Sequence, residues 1–322
     1  MFKRNVILSV LGSISIVLSS CAASEKEGLP NAEAKPESSQ DSVELTHVHG
    51  LGYSGDGEQI IIPAHDGLRI YSDGHWHVPE GPKHDYMGFS SVDNGFYSSG
   101  HPEPGSDLKN PFGIVKSSDQ GINLEILDLH GEVDFHEMAV GYKTHAIYVM
   151  NHEPNSEMKA PGLYYTQDES KTWNKSDMNG VEGEHFVLAV HPTEESIVAL
   201  GSEKGLFISK DYGQNFEKIG SNQVTALQYN LKGDLYVGGY NGQALLLQLD
   251  GSLNQIKEFN IPPLEKDAVA YFAENPKNEK EMVFATYNKN VFLSQDQGNT
   301  WEKIADQGEG ESNEGDGHDH EH

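Results

Sequence analysis

One short pattern returns four times along this 322-residue chain. It reads SSDQGINLE (117–125), TQDESKTWN (166–174), SKDYGQNFE (209–217) and SQDQGNTWE (294–302). Each copy has a Ser or Thr, an Asp two residues later, a Gly or Ser two further on, and an apolar or aromatic residue three beyond that. YSDGHWH (71–77) and LQLDGSL (247–253) are degraded copies. The six aspartates Asp73, Asp119, Asp168, Asp211, Asp250 and Asp296 are spaced by about 39 to 49 residues. A period of that length means many copies of one supersecondary unit, stacked in a solenoid or arranged radially.

The segments between the copies carry strand chemistry and no helical period. First strands are expected at 49–54, 86–91, 136–141, 186–191, 225–230 and 270–275. Second strands follow at 59–65, 95–101, 146–152, 196–202, 234–240 and 282–288. A third strand then leads into each Asp. The expectation is an all-β propeller over residues 45–305, with six four-stranded blades. Seven is the other count, because blades one and five lack good copies of the pattern.

The repeated pattern resembles the Asp box, or BNR repeat, of sialidase-like and sortilin-like β-propellers, a group loosely labelled glycosyl hydrolases. The resemblance implies that Asp119, Asp168, Asp211 and Asp296 tie down hairpin turns and that the following aromatic packs between blades. These aspartates are therefore structural rather than catalytic.

The two ends of the chain read differently. Lys3 and Arg4 precede an apolar run from Val6 to Val17, which is short for a bilayer span. Leu18-Ser19-Ser20-Cys21 follows, and Cys21 is the sole cysteine. This resembles a bacterial lipoprotein signal, so residues 1–20 are expected to be a removed leader and Cys21 to carry lipid. The mature protein would then be anchored to the cell membrane and face the extracytoplasmic side. Residues 21–44 read as a polar, flexible tether, and 306–322 as a disordered acidic tail ending in His318, His320 and His322. Alternating His and acid suits either a loose metal chelator or a merely solvated tail. The net charge of −28 argues against nucleic acid as a partner. A monomer is expected.

The histidines are the candidate functional residues. In a propeller the first strand of each blade lines the central channel, and its start lies on the same face as the end of the second strand. His47, His49, His136 and His185 open first strands, while His65, His101 and His152 end second strands. All seven thus fall on one face, near the channel mouth, and His84 lies just before the first strand of blade two. An imidazole cluster suits a transition metal, copper or zinc. Asp66, Asp134, Glu137, Glu153 and Glu184 neighbour these histidines and are candidates to orient them. Met87, Met138 and Met150 read as blade core. His75, His77, His130, His145 and His191 map to outer strands or the far face and read as ordinary.

Two other classes of function stay open. A sialidase needs an arginine triad for the substrate carboxylate. After the leader the chain offers only Arg69, on a third strand expected away from the mouth. Another glycosidase needs two carboxylates about 5 to 9.5 Å apart. Asp85, Asp134, Glu137 and Glu184 open first strands, and Asp134, Glu137 and Glu184 are the catalytic candidates. Tyr86 and Tyr240 could stack on a sugar. If the protein is an enzyme, it is a glycosyl hydrolase or a metal-dependent enzyme. The third class is a protein-binding or assembly propeller, with the insert 101–113 overhanging the mouth as a lid or contact.

Overall fold

The structure, a computed structural model, describes residues 42–312. It opens with β1 (Ser42–Glu44). Blade one is β2 (Gly52–Tyr53), β3 (Ile60–Ala64), β4 (Gly67–Ser72) and β5 (His75–His77). Blade two is β6 (Asp85–Val92), β7 (Gly95–His101), β8 (Ile114–Ser117) and β9 (Glu125–Asp128). Blade three is β10 (Met138–Val140), β11 (Ile147–Asn151), β12 (Gly162–Thr166) and β13 (Asn174–Lys175). Blade four is β14 (Val187–Val190), β15 (Val198–Ser202), β16 (Gly205–Ser209) and β17 (Glu217–Gly220). Blade five is β18 (Gln223–Tyr229), β19 (Leu235–Tyr240), β20 (Ala244–Leu249) and β21 (Gln255–Glu258). Blade six is β22 (Val269–Asn275), β23 (Asn278–Thr286), β24 (Val291–Ser294) and β25 (Glu302–Ala305), followed by β26 (Glu309–Glu311).

Each blade is one antiparallel sheet in sequence order, and there are six, as the repeat predicts. Six apolar clusters fill the gaps between neighbouring blades. Ile61 and Leu68 of blade one meet Tyr86, Phe96 and Phe112 of blade two, for example. A blade packed between two others buries both faces of its inner strands. The inner strands β3, β15 and β16 are accordingly buried at every residue. That is why the sequence shows short continuous apolar runs rather than strict alternation.

The Asp-box loops join third to fourth strands. Asp119 accepts from Ser117 Oγ (2.8 Å), Asn123 N (2.9 Å) and Asn123 Nδ2 (2.7 Å). Asp168, Asp211 and Asp296 repeat the scheme with Thr166 and Thr172, Ser209 and Asn215, and Ser294 and Thr300. The residue after each Asp is left-handed: Gln120, Glu169, Tyr212 and Gln297 have φ of 60°, 54°, 60° and 62°. The next residue is left-handed too, which explains Gly at three of the four copies. Because third strands run parallel to first strands, these loops lie on the face opposite the first-strand starts.

The ring is closed by its ends. β1 and β26 pair antiparallel, with Val43 opposite Gly310. They pack on β5, where fully buried Trp76 donates from Nε1 to Ile304 O of blade six at 2.7 Å. The folded region therefore runs past the expected limits of 45 and 305 on both sides. Only Val43 of β1 is buried, too slight a pattern to read as a strand. The expected leader 1–20, Cys21, the tether up to residue 41 and the tail from residue 313 lie outside the described residues. No helix among the described residues is long and apolar enough to cross a membrane.

Candidate metal centre at the channel mouth

The first strands of all six blades line a central channel with a cavity of about 330 Å³. His49, His136 and Glu137 are at one end of it, and Tyr142, Asn230 and Glu274 are at the other. Between them the wall carries polar and apolar atoms in comparable measure. Met87 and Met138 belong to that wall, whereas Met150 is core between blades three and four. All three methionines are buried, as expected, and Met87 and Met138 also border the channel because they stand on its lining strands.

The seven histidines divide into groups instead of meeting at one point. His47, His49 and His65 form the first group, with one ligand atom from each lying within 4.8 Å of the other two. Two chain segments build it. His49 N donates to Pro63 O at 3.1 Å, which extends the β2–β3 pairing and sets the 47–49 segment against the turn holding His65. The ring of His47 is 6.0 Å from that of His49 and 5.8 Å from that of His65.

Asp85, at the start of β6, reaches across from blade two and serves two of these rings. Its Oδ2 is 2.7 Å from His65 Nδ1, and its Oδ1 is 3.6 Å from His49 Nε2. The first contact puts the His65 proton on Nδ1 and leaves Nε2 free as a ligand, the usual carboxylate–histidine support of a metal site. The second is too long for a hydrogen bond. His49 Nε2 and Asp85 Oδ1 are both buried and both lack a hydrogen-bond partner. Burial pushes His49 below the ordinary imidazole value. Asp85 opposes that shift, and His136, His47 and His65 add to it. A neutral imidazole is the form that binds a metal.

Arg69 holds the two segments together from below. Its guanidinium donates to Glu44 O (2.8 Å), Asp66 Oδ1 (2.6 Å) and Asp66 O (3.3 Å), and Thr46 Oγ1 donates to the same Asp66 Oδ1 (3.0 Å). Although Arg69 is on a third strand, its buried side chain turns back to the mouth-side turn after His65. This corrects its expected place away from the mouth. It is saturated by internal partners and offers no free fork for a substrate carboxylate.

The second group is His101, Asp134 and His136, and the third is His152 paired with Glu137 at 2.9 Å. His185 is exposed on blade four with φ of 34°, and Glu184 N there donates to Glu203. His84 is a buried acceptor for Glu103 N at 3.0 Å, and His130 Nε2 accepts from Lys109 N at 2.9 Å. These two histidines pin the insert 101–113, whose Phe112 is fully buried. The insert is a fastened loop that brings Asn110 to His101. Tyr86 is fully buried between blades one and two, which removes it as a sugar platform. Tyr240 and Tyr287 are exposed, at the blade-five and blade-six strand ends that correspond to His65, His101 and His152.

In the sequence Asp85 is one of several carboxylates at first-strand openings. Its partnership with two histidines of another blade has no signal in local spacing. Its place at a strand start, level with His101 across the sheet, was the available clue.

No protein-family model matches the chain, and no curated protein matches it. Solved structures do. A GH74 xyloglucanase from Xanthomonas campestris aligns over 82% of this chain and 46% of its own, at 12% identity and a TM-score of 0.53. A GH74 enzyme from Niastella koreensis aligns over 82% and 47%, at 15% identity and a TM-score of 0.51. YCF48 bound to D1 peptide aligns over 82% and 84%, at 15% identity and a TM-score of 0.48. The chain spans less than half the length of the two GH74 enzymes. At these identities the likeness is one of fold, and the chain is a six-bladed β-propeller.

Proposed function

We propose that this protein is a membrane-anchored, extracytoplasmic propeller that binds a transition metal, copper or zinc, through His47, His49 and His65. The observation that carries the reading is the pair of buried, unpartnered atoms, His49 Nε2 and Asp85 Oδ1, beside that three-histidine group. Buried polar atoms are almost always satisfied, and an orphaned pair at a His cluster is what a bound ion or water would explain. Tetrahedral zinc with bonds of about 2.0–2.1 Å brings its ligand atoms to about 3.3 Å from each other. The exposed rings of His47 and His65 have the freedom to close from the present spacing. Three protein ligands leave a fourth position for water or an incoming group. The anchor rests on the lipoprotein-like segment ending at Cys21, and the acidic surface favours cation capture.

The test is calorimetric titration of the full chain in detergent with Zn(II) and Cu(II). All samples carry His318→Ala, His320→Ala and His322→Ala, so that the tail does not contribute. Binding below about micromolar is expected, with a loss of at least ~100-fold in a His47→Ala, His65→Ala double variant. Unchanged binding in that variant sinks the reading.

The exposed Tyr240 and Tyr287 favour a second reading, in which the same mouth takes a glycan or a protein segment by aromatic stacking. Asp134 and Glu137 are already held by histidines, which speaks against a free acid–base pair. Oligosaccharide titration that is lost in Tyr240→Ala with Tyr287→Ala, without metal, would favour this reading over the first.

A further inference from the structure

A second cluster at the junction of blades two and three has the composition of a cation site of its own. His101 ends β7, and Asp134 and His136 lie just before β10. One carboxylate oxygen, Asp134 Oδ2, is 3.2 Å from His101 Nε2 and 3.1 Å from His136 Nε2. On its other side His101 Nδ1 is 2.6 Å from Asn110 Oδ1, in the fastened insert. Asn110 thus holds the His101 ring with Nε2 toward Asp134, and His136 brings a second Nε2 to the same carboxylate oxygen. A cation held there would take both imidazoles and the carboxylate as ligands.

We propose that His101, Asp134 and His136 bind a second divalent cation, distinct from the one at His47, His49 and His65. Two imidazoles and a carboxylate form a mixed nitrogen–oxygen set that accepts Mn(II), Fe(II) and Zn(II), whereas three imidazoles favour Cu(II) and Zn(II). The two sites differ in position as well as in chemistry. The first joins the 47–65 segments of blade one, and the second joins blades two and three. Asn110 is a positioning residue that aims His101, and the insert exists in a fixed shape because His84 and His130 accept its backbone N–H groups.

The inference goes beyond the proposed function and its test separates the two. The full chain with the tail histidines replaced is titrated with Zn(II) by calorimetry and with Mn(II) by paramagnetic resonance, in the parent, in Asp134→Asn, in His136→Gln and in the His47→Ala, His65→Ala variant. Thermal melts check that each variant folds. The expected result is two zinc ions in the parent and one in each variant, with Mn(II) binding weakened at least ~10-fold by Asp134→Asn or His136→Gln and unchanged by the His47, His65 pair. One zinc ion, lost only in the His47, His65 variant, overturns this inference and leaves the proposed function standing. One zinc ion, lost only in Asp134→Asn and His136→Gln, supports the inference and overturns the proposed function. A single ion that every variant abolishes overturns the inference, because the histidines then form one site.

Discussion

Arg69 and Asp66 form an ion pair of 2.6 Å beneath the turn that carries His65. The arginine is buried, the aspartate is half exposed, and Thr46 shares the same carboxylate oxygen. One guanidinium therefore fixes both chain segments of the three-histidine group. Arg69→Lys keeps the charge and loses the fork. It is expected to destabilise the fold by about 1.5–3 kcal/mol, the range for hydrogen bonds to a charged group. Metal affinity is expected to fall about 10-fold as the His47 and His65 segments loosen. Denaturant titration and calorimetry on the same variant check both. Weaker binding with unchanged stability would contradict a structural role for the pair.

Acid should loosen the propeller through two histidines, the buried His84 and the half-buried His191. Burial holds His84 and His191 below the ordinary imidazole value, against the opposing pull of Glu103 and Glu194. Both accept backbone N–H groups and must stay neutral to do so. In the unfolded chain they protonate near pH 6.5. Stability is thus fully present above that value and is lost as pH falls through the lower folded values. The slope should approach about one proton per histidine at most. His191→Asn keeps an acceptor without the titration, so its stability profile between pH 7 and 5 should be shallower than the parent's.

The Asp-box loops should contribute to stability alone. Asp211 is held low by Asn215 first, through side chain and backbone, and then by Ser209. Asp211→Ala removes those bonds on the face opposite the metal-site candidates. A fall in melting temperature of about 2–4 °C is expected, the scale of ~1 kcal/mol in a domain of this size. Zinc titration of the same variant should match the parent, and a change in affinity would tie the far face to the site.

Ring closure should be sensitive to one methyl group. A Cβ on Gly310 would come within 2.3 Å of Trp76 Cδ1 and 2.6 Å of Nε1. Trp76 has no room to yield, being fully buried and bonded to Ile304 O. Gly310→Ala is expected to cost about 1–3 kcal/mol by overpacking. Thermal melts of this variant beside Gly242→Ala give the comparison. Gly242 has open space but a φ of 102°, so any loss there reports backbone strain and not crowding. An unaffected Gly310→Ala would mean that the β1–β26 strap does not hold the ring.

The sequence by itself determined the unit and left its number at six or seven, which the structure settles at six. Strand runs, turn glycines and the Ser/Thr-x-Asp pattern are local signals, and they located all six blades nearly to the residue. They also put His65, His101 and His152 on one face, because a strand end is a local property. The chemistry of each histidine was decided elsewhere. Which ones meet depends on how neighbouring blades pack around the channel, across separations of dozens of residues. Asp85 of blade two supports His49 and His65 of blade one, and Asp134 brings His136, its near neighbour in sequence, to His101 of blade two. Neither of these cross-blade contacts follows from spacing, whereas Arg69 and Asp66 meet locally across one turn. Side chains that read alike in sequence, such as His84 and His65, part company by burial: one accepts a backbone hydrogen bond in the interior, the other is presented at the mouth. The strap formed by Val43, Gly310 and Trp76 is likewise a product of closure, since a ring brings together the two ends that the chain keeps furthest apart.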